Sequence, residues 1–375
     1  MKLGIVELYC GSSGKKGFYN SQEIGLAKAM KKLGYDVYIF YPGRDISRPK
    51  EEPVEKQIQI IYTPAKVFGV HSKYDWNILL EYQIEIVQVG SDNQLFAPDV
   101  IHFCARNRIP VYCYIGTTAS DSKNKVKRNL LNVLYQRNIR CYKRHKCFVK
   151  TPSVKTQMAR QGIRNVEIAP VGLDLDIIPS IHKTKEKLRM ELKIPENKAA
   201  LLFVGRMDGY KRPLDAIELM NSLGEDFYLI MVGTGNLNRQ VEEKIRSSPY
   251  KDNIRRISQM PNYEIHQYYL ASDFFLNFNS DEIFGMSILE AMYQGCTVLA
   301  CHAPGPDSII ENGISGYLVD TGADMKRIIL SGVKLDKNNV RRRVTEKFSW
   351  EQTAWKFDGW IKQNSYSSRK ADKGE

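Results

Sequence analysis

One arrangement recurs along this 375-residue chain and restricts its fold more than any other feature. It is a short apolar run, a glycine-bearing loop, an amphipathic helix and another apolar run. KLGIVELY leads into GSSGKKGFYN; Ile24, Leu26, Ala27, Met30 and Leu33 follow near helical spacing, Gly34 stops them, and YDVYIF reads as the next strand. Further strands are read at PDVIHF (98–103), with His102 as a core or cleft-edge residue, at IPVYCYI (109–115) and in RHKCFVKTP (144–152), with a helix from Ser153 to Gln161. After the charged stretch HKTKEKLRMELKIPENK the pattern restarts. AALLFVG (199–205), FYLIMVG (227–233), residues 254–257, DFFLNF (273–278), TVLAC (297–301) and GYLV (316–319) read as strands, and 262–271 and Met286–Tyr293 as helices.

Such units build doubly wound α/β sheets, and the chain is longer than one core fills. The expectation is an α/β protein of two doubly wound Rossmann-like domains facing across a cleft, 1–172 and 173–348. An aromatic helix at about 349–364 is expected to pack back on the first domain, and 365–375 to form a loose polar tail.

The net charge of +13 is local. Residues 122–166 hold thirteen Lys and Arg and no Asp or Glu, leaving 42 basic against 42 acidic residues elsewhere. A local excess implies a local anionic partner: a membrane surface, a phosphorylated substrate or a nucleic acid. Within SKNKVKRNLLNVLYQRNIRCYKRHK, Val126, Leu130, Val133, Leu134 and Tyr142 recur near helical spacing. The segment therefore reads as a helix that buries its apolar face in its own domain and turns Lys123, Lys125, Lys127 and Arg128 outward as a membrane or acceptor patch. No run of about 18 apolar residues predicts a membrane span, and the N-terminal stretch reads as a strand rather than a signal peptide. Seven cysteines without metal-like spacing fit a reducing cytoplasm.

The chemistry-bearing residues lie after strands. In DEIFGMSILE, Glu282 precedes and Glu290 lies inside a helix whose first amides, at Gly285, Met286 and Ser287, form an anion or hydroxyl site. Carboxylates accept hydrogen bonds from the paired hydroxyls of a ribose or a pyranose, so this spacing suits a nucleotide-sugar. Upstream, FVGRMDGYKRP puts Arg206 and Lys211 after a strand, where cations neutralise a diphosphate. MVGTGN adds Gly235. Asp174-Leu175-Asp176 has the look of a metal-binding Asp-x-Asp but stands at the domain junction without the surrounding pattern, and no metal is assigned to it.

Taken together, FVGR…KRP, MVGTGN, DEIFGMSILEAMYQGCTVLA and GPDSIIENGISGYLV resemble the carboxyl-terminal domain of retaining family-four glycosyltransferases of the GT-B fold, the glycosyl transferases group 1. The likeness is close over about 199–320 and looser before it. It implies that Arg206 and Lys211 bind the donor diphosphate and that Glu282, with Phe284, Gly285, Met286 and Ser287, holds the donor sugar. It also implies that Glu290 takes the ribose hydroxyls and that the loop at Gly14 to Gly17 closes on the phosphates. The implied reaction moves a hexose with retention from a nucleotide-sugar, a UDP-sugar by preference, to a glycan or polyprenyl-linked acceptor in surface polysaccharide or glycoconjugate assembly. No cofactor, no metal and no nucleic acid are implied; the place is the cytoplasm, peripheral on the inner face of the membrane. One departure stands out: many members carry a histidine after the strand that here reads VYCYI, and this chain has Ile115-Gly116. A non-catalytic GT-B partner subunit, a sugar-nucleotide epimerase and a nucleic-acid-binding protein using 122–166 remain as other readings.

Overall fold

The computed structural model describes residues 1–10, 22–92, 94–118 and 125–371, with the side chains of 125, 127, 128 and 365–371 outside the description. The chain divides into two units, Met1–Gly172 together with the segment from Trp350 onward, and Leu173–Ser349.

The first unit contains β1 (Lys2–Val6), β2 (Asp36–Gly43), β3 (Lys50–Glu55), β4 (Ile58–Phe68), β5 (His71–Tyr74), β6 (Ile86–Gly90), β7 (Val111–Ile115), β8 (Lys146–Val149) and β9 (Val166–Ile168). They form one sheet in the order β3-β4-β2-β1-β6-β7-β8-β9, with β5 paired to β4. From β4 to β9 every neighbour is parallel, while β3 and β5 run antiparallel to β4. Parallel strands are covered on both faces and so read as continuous apolar runs; all five residues of β7 are buried. One cover is the C-terminal helix Trp350–Ala371, whose Phe357 ring lies 4.7 Å from Phe148 and 5.1 Å from Tyr112. Asp358 on the same helix accepts a buried hydrogen bond from the Tyr35 hydroxyl at 2.9 Å.

Three expectations are corrected here. PDVIHF is helix, not strand: it lies within Ala97–Arg106, started by Pro98 and burying Ala97, Val100, Ile101 and Cys104 at helical intervals, which leaves His102 exposed. The basic segment is two helices, Lys125–Leu134 and Gln136–Tyr142. The second buries Ile139, Cys141 and Tyr142, and Asn138 ties it to the Gln94 carbonyl at 2.8 Å. The first does not bury its apolar stripe, for Val126, Leu130 and Val133 are 79%, 61% and 67% exposed. Finally, the last helix continues to Ala371 instead of giving way to a tail at 365, since no proline or glycine stops it between 361 and 371.

The second unit is a six-stranded parallel sheet of β10 (Ala199–Val204), β11 (Phe227–Val232), β12 (Ile254–Ile257), β13 (Phe274–Asn277), β14 (Thr297–Cys301) and β15 (Tyr317–Val319). Its order, β12-β11-β10-β13-β14-β15, reverses between β10 and β13. Ligands in open α/β sheets bind beyond the carboxyl ends of the strands at such a reversal. Asp273, just before β13, fixes the junction: its carboxylate takes the Ala200 amide at 2.7 Å, Lys185 at 2.5 Å and Arg189 at 2.5 Å. Burial works to raise the pKa of this acid, but the two cations and the amide outweigh it, and it falls below the ordinary aspartate value.

Candidate active site

The loops after β10 and β13 carry the predicted residues to this reversal. After β10 the chain passes Gly205, Arg206, Met207 and Asp208 into a single 3-10 turn, Gly209–Lys211. Arg212 adopts φ 53° before Pro213 opens the next helix. Lys211 Nζ thereby reaches Glu282 Oε2, 2.5 Å away, from 71 residues earlier in the chain. The same carboxylate oxygen accepts from Asn279 at 3.1 Å and Asn277 at 3.4 Å. Arg206 is more exposed and pairs with Asp208 at 2.8 Å, while Asp208 also accepts the Asn236 amide at 2.8 Å.

Gly285 has φ 106°, a conformation that favours glycine, and it turns the chain directly into the helix Met286–Tyr293. The first-turn amides of Met286 and Ser287 have no acceptor among the described residues. The turn is held from behind by packing: Phe284 is buried against Phe348, and the Gly305 amide donates to the Glu282 carbonyl at 2.8 Å. Phe284 thus packs the loop from behind through its ring.

Glu290 lies on the buried side of the same helix. Its two oxygens accept from Asn262 at 3.1 Å and from Tyr269 at 2.9 Å, both on the helix Asn262–Ala271. Burial raises its pKa, and those two hydrogen bonds oppose the rise. The two glutamates therefore have separate polar surroundings, Glu282 with a cation and Glu290 with neutral donors. Gly235 presses its backbone against Met207 and Asp208, where a Cβ would come within 2.5 Å of the Met207 carbonyl carbon, and its amide is taken by Asn238 at 2.9 Å.

Several partners were not foreseen from the sequence. Asn277 and Asn279 flank Phe278 beside the quoted motif, and that polar pair at the end of an apolar strand was the available signal. Asn262 and Tyr269 carried none. The Asp174 side chain accepts the Asp176 amide at 3.2 Å and caps a short turn. Gly17 and Lys123 lie outside the described residues; Lys125, Lys127 and Arg128 lie in the helix Lys125–Leu134 with their side chains outside the description. Among the described residues no helix is long and apolar enough to cross a membrane.

Comparison with known proteins adds the following. Residues 184–347 match the family described as Glycosyl transferases group 1. A D-inositol 3-phosphate glycosyltransferase of Xylanimonas cellulosilytica is 24% identical over 204 residues, 50% of this chain and 49% of that protein. The lipopolysaccharide 1,2-N-acetylglucosaminetransferase of Salmonella typhimurium is 25% identical over 48% of this chain and 52% of its own length. The chain thus spans about half the length of the curated relatives it matches. Among solved structures, sucrose-phosphate synthase from Thermosynechococcus elongatus superposes with a TM-score of 0.77 at 16% identity, over 98% of this chain and 99% of that one. Anabaena Alr3699/HepE, solved in complex with UDP and glucose, gives 0.71 at 16% identity, over 97% and 100%. These likenesses assign the GT-B fold, two Rossmann-like units.

Proposed function

Because residues 184–347 match the family described as Glycosyl transferases group 1, we propose that this chain transfers a hexose, with retention, from a UDP-sugar to a glycan or lipid-linked acceptor. The observation that carries the reading is the Lys211–Glu282 pair beside the free amides of Met286 and Ser287, at the strand-order reversal of the second unit. In this reading Lys211 and Arg206 meet the diphosphate, so that charge developing on the leaving phosphate is stabilised as the anomeric carbon–oxygen bond breaks. Glu282 and the helix amides hold the sugar hydroxyls and fix the anomeric carbon. The acceptor hydroxyl forms the new bond to that carbon and gives up its proton, which leaves with the nucleotide diphosphate. Glu290 takes the ribose hydroxyls, exchanging Asn262 and Tyr269 for them in part. Side-chain cations, rather than a metal ion, face the phosphates.

The UDP and UDP-glucose held by the Anabaena protein support the choice of base. Titration calorimetry with UDP, GDP and their hexose conjugates tests it: UDP and its conjugates bind, and Glu290→Ala weakens them about tenfold or more. If no nucleotide binds at millimolar concentration, the donor site is refuted.

For the acceptor, the exposed stripe Val126, Leu130 and Val133, in a segment without a single acid, supports docking on an anionic membrane surface. Burial of such side chains in lipid is worth about 1.5–3 kcal/mol each. Leu130→Ser with Val133→Ser is therefore expected to reduce co-sedimentation with phosphatidylserine vesicles at least about tenfold. Unchanged co-sedimentation removes the membrane from the reading.

A further inference from the structure

Among the described residues, six that are not glycine have a positive φ: Asp45, Gln57, Gln83, Arg108, Lys193 and Arg212. Gln83, Arg108 and Lys193 stand just past the ends of the helices Ile78–Glu81, Ala97–Arg106 and Lys185–Glu191, where a left-handed residue is usual. Gln57 turns β3 into β4. Arg212 is different. At φ 53° and ψ 52° it stands where a helix begins, and Pro213 follows it. A proline pushes the residue before it toward extended backbone, and a side chain with a Cβ resists the left-handed region. Both preferences are overridden here, so the surroundings must hold Arg212 in place.

Its side chain does the holding. Nε donates to Asp215 Oδ2 at 2.8 Å and Nη2 donates to the same oxygen, which ties Arg212 to the first turn of the helix Pro213–Leu223. Nη1 donates to the Phe278 carbonyl at 3.5 Å, and the guanidinium carbon is 6.0 Å from the Phe278 ring centre. Phe278 is buried and lies between Asn277 and Asn279. Arg212 therefore touches both loops that serve Glu282: it directly follows Lys211, and it grips the residue between the two asparagines. Lys211, Asn277 and Asn279 all donate to one oxygen, Glu282 Oε2. The turn itself stays closed, with the Lys211 amide on the Asp208 carbonyl at 3.0 Å and the Arg212 amide on the Gly209 carbonyl at 3.3 Å.

We propose that Arg212 is a positioning residue: it braces the turn Gly209–Lys211 against Phe278 and so aims the Lys211 ammonium at Glu282. Its guanidinium is engaged by Asp215 and Phe278, and contact with a bound anion falls to Lys211. Were Arg212 extended, as a residue before proline prefers, the turn would leave the helix in another direction and Lys211 would lose its line to Glu282. Only what Lys211 does with a diphosphate rests on the proposed donor site; the aiming rests on the geometry. Asp215 is the anchor of the brace. By charge alone this acid opposes a bound anion, yet through Arg212 it helps to bind one.

Two substitutions and two readouts on the full chain test this. The first readout is the rate at which an N-hydroxysuccinimide ester acetylates Lys211, followed by mass spectrometry; the paired ammonium, its side chain 16% exposed, is expected to react slowly. The second is UDP affinity by calorimetry. Arg212→Ala and Asp215→Ala are each expected to speed acetylation of Lys211 severalfold and to weaken UDP about tenfold. Asp215→Ala decides the matter, and it does so even where Arg212→Ala fails to fold. Removing an acid favours an anion by charge alone, so weaker UDP binding there reports the lost aim of Lys211. Unchanged acetylation of Lys211 in a folded variant, or UDP affinity that is unchanged or tighter in Asp215→Ala, overturns the positioning role. Faster acetylation in the variants of a chain that binds no UDP upholds it and sinks the donor-site reading instead.

Discussion

The two strand-order reversals use one device and finish it differently. At each, a lysine following one strand holds a carboxylate following another: Lys211 with Glu282 in the second unit, Lys150 with Asp92 in the first. In the second unit the pair is closed in, with the Glu282 side chain 13% exposed and two asparagines completing it, and Glu290 has two donors of its own. In the first, Asp92 is 43% exposed, and no described residue donates a hydrogen bond to the Glu7 carboxyl. One pair is enclosed; the other leaves its carboxylate open to solvent. Enclosed, preorganised charge is the kind that stabilises a transition state, whereas a solvent-open ion pair is screened by water and contributes little.

The largest difference should appear when the lysines are exchanged for methionine. Lys211→Met is expected to lower kcat/KM for UDP-sugar about a hundredfold to a thousandfold. Lys150→Met should lower it about tenfold or less. Equal losses would erase the contrast. Next come the glycines. A Cβ on Gly305 would stand 2.0 Å from the Phe284 carbonyl oxygen, which is backbone, so Gly305→Ala should cost about 1–3 kcal/mol in denaturant unfolding. Gly116→Ala meets only side-chain ends, so stability should change by less than about 1 kcal/mol.

Acidity gives the smallest and most specific test. His266, buried beside Gln294, has its pKa lowered by burial from 6.5 to about 4. Its contribution to stability is present above pH 6.5 and is lost as the pH falls toward and through 4. Glu7 has the opposite sign: its raised pKa contributes below the ordinary value of 4.5 and is lost as the pH rises through the folded value. Melting temperatures across pH should flatten on the acid side in His266→Asn and on the neutral side in Glu7→Gln. If neither substitution alters the profile, the two groups titrate alike in the folded and unfolded chains.

Most of the second unit was readable in advance because its strands are buried on both faces, so AALLFV and FYLIMV stand out as unbroken apolar runs. The helix Met286–Tyr293 was readable for the same kind of reason, a glycine followed by an apolar, helix-favouring stretch. Residues 50–74 were not. β3 reads KEEPVE, exposed, acidic and carrying Pro53, as an edge strand tolerates. PDVIHF fitted either period because six residues are too few to separate a strand from the middle of a helix. Glu282, Glu290, Arg206 and Lys211 announced themselves by position after strands. Their partners did not, since Asn262 and Tyr269 lie 28 and 21 residues from Glu290 and Asp92 lies 58 from Lys150. No spacing rule reaches that far; only the sheet order brings such residues together.

The path of the chain has a consequence for its birth. Leu173 and Ser349 form a bridge, and the Leu173 amide donates to the Phe348 carbonyl at 2.7 Å, so the second unit begins and ends at one spot. On a ribosome that unit is complete as soon as Ser349 has emerged. The first unit, begun earlier, must wait with Tyr112 and Phe148 uncovered until Phe357 arrives. The half begun first is therefore the half finished last, and a chain interrupted between Ser349 and Phe357 would carry a finished second unit attached to a first sheet still uncovered at Tyr112 and Phe148.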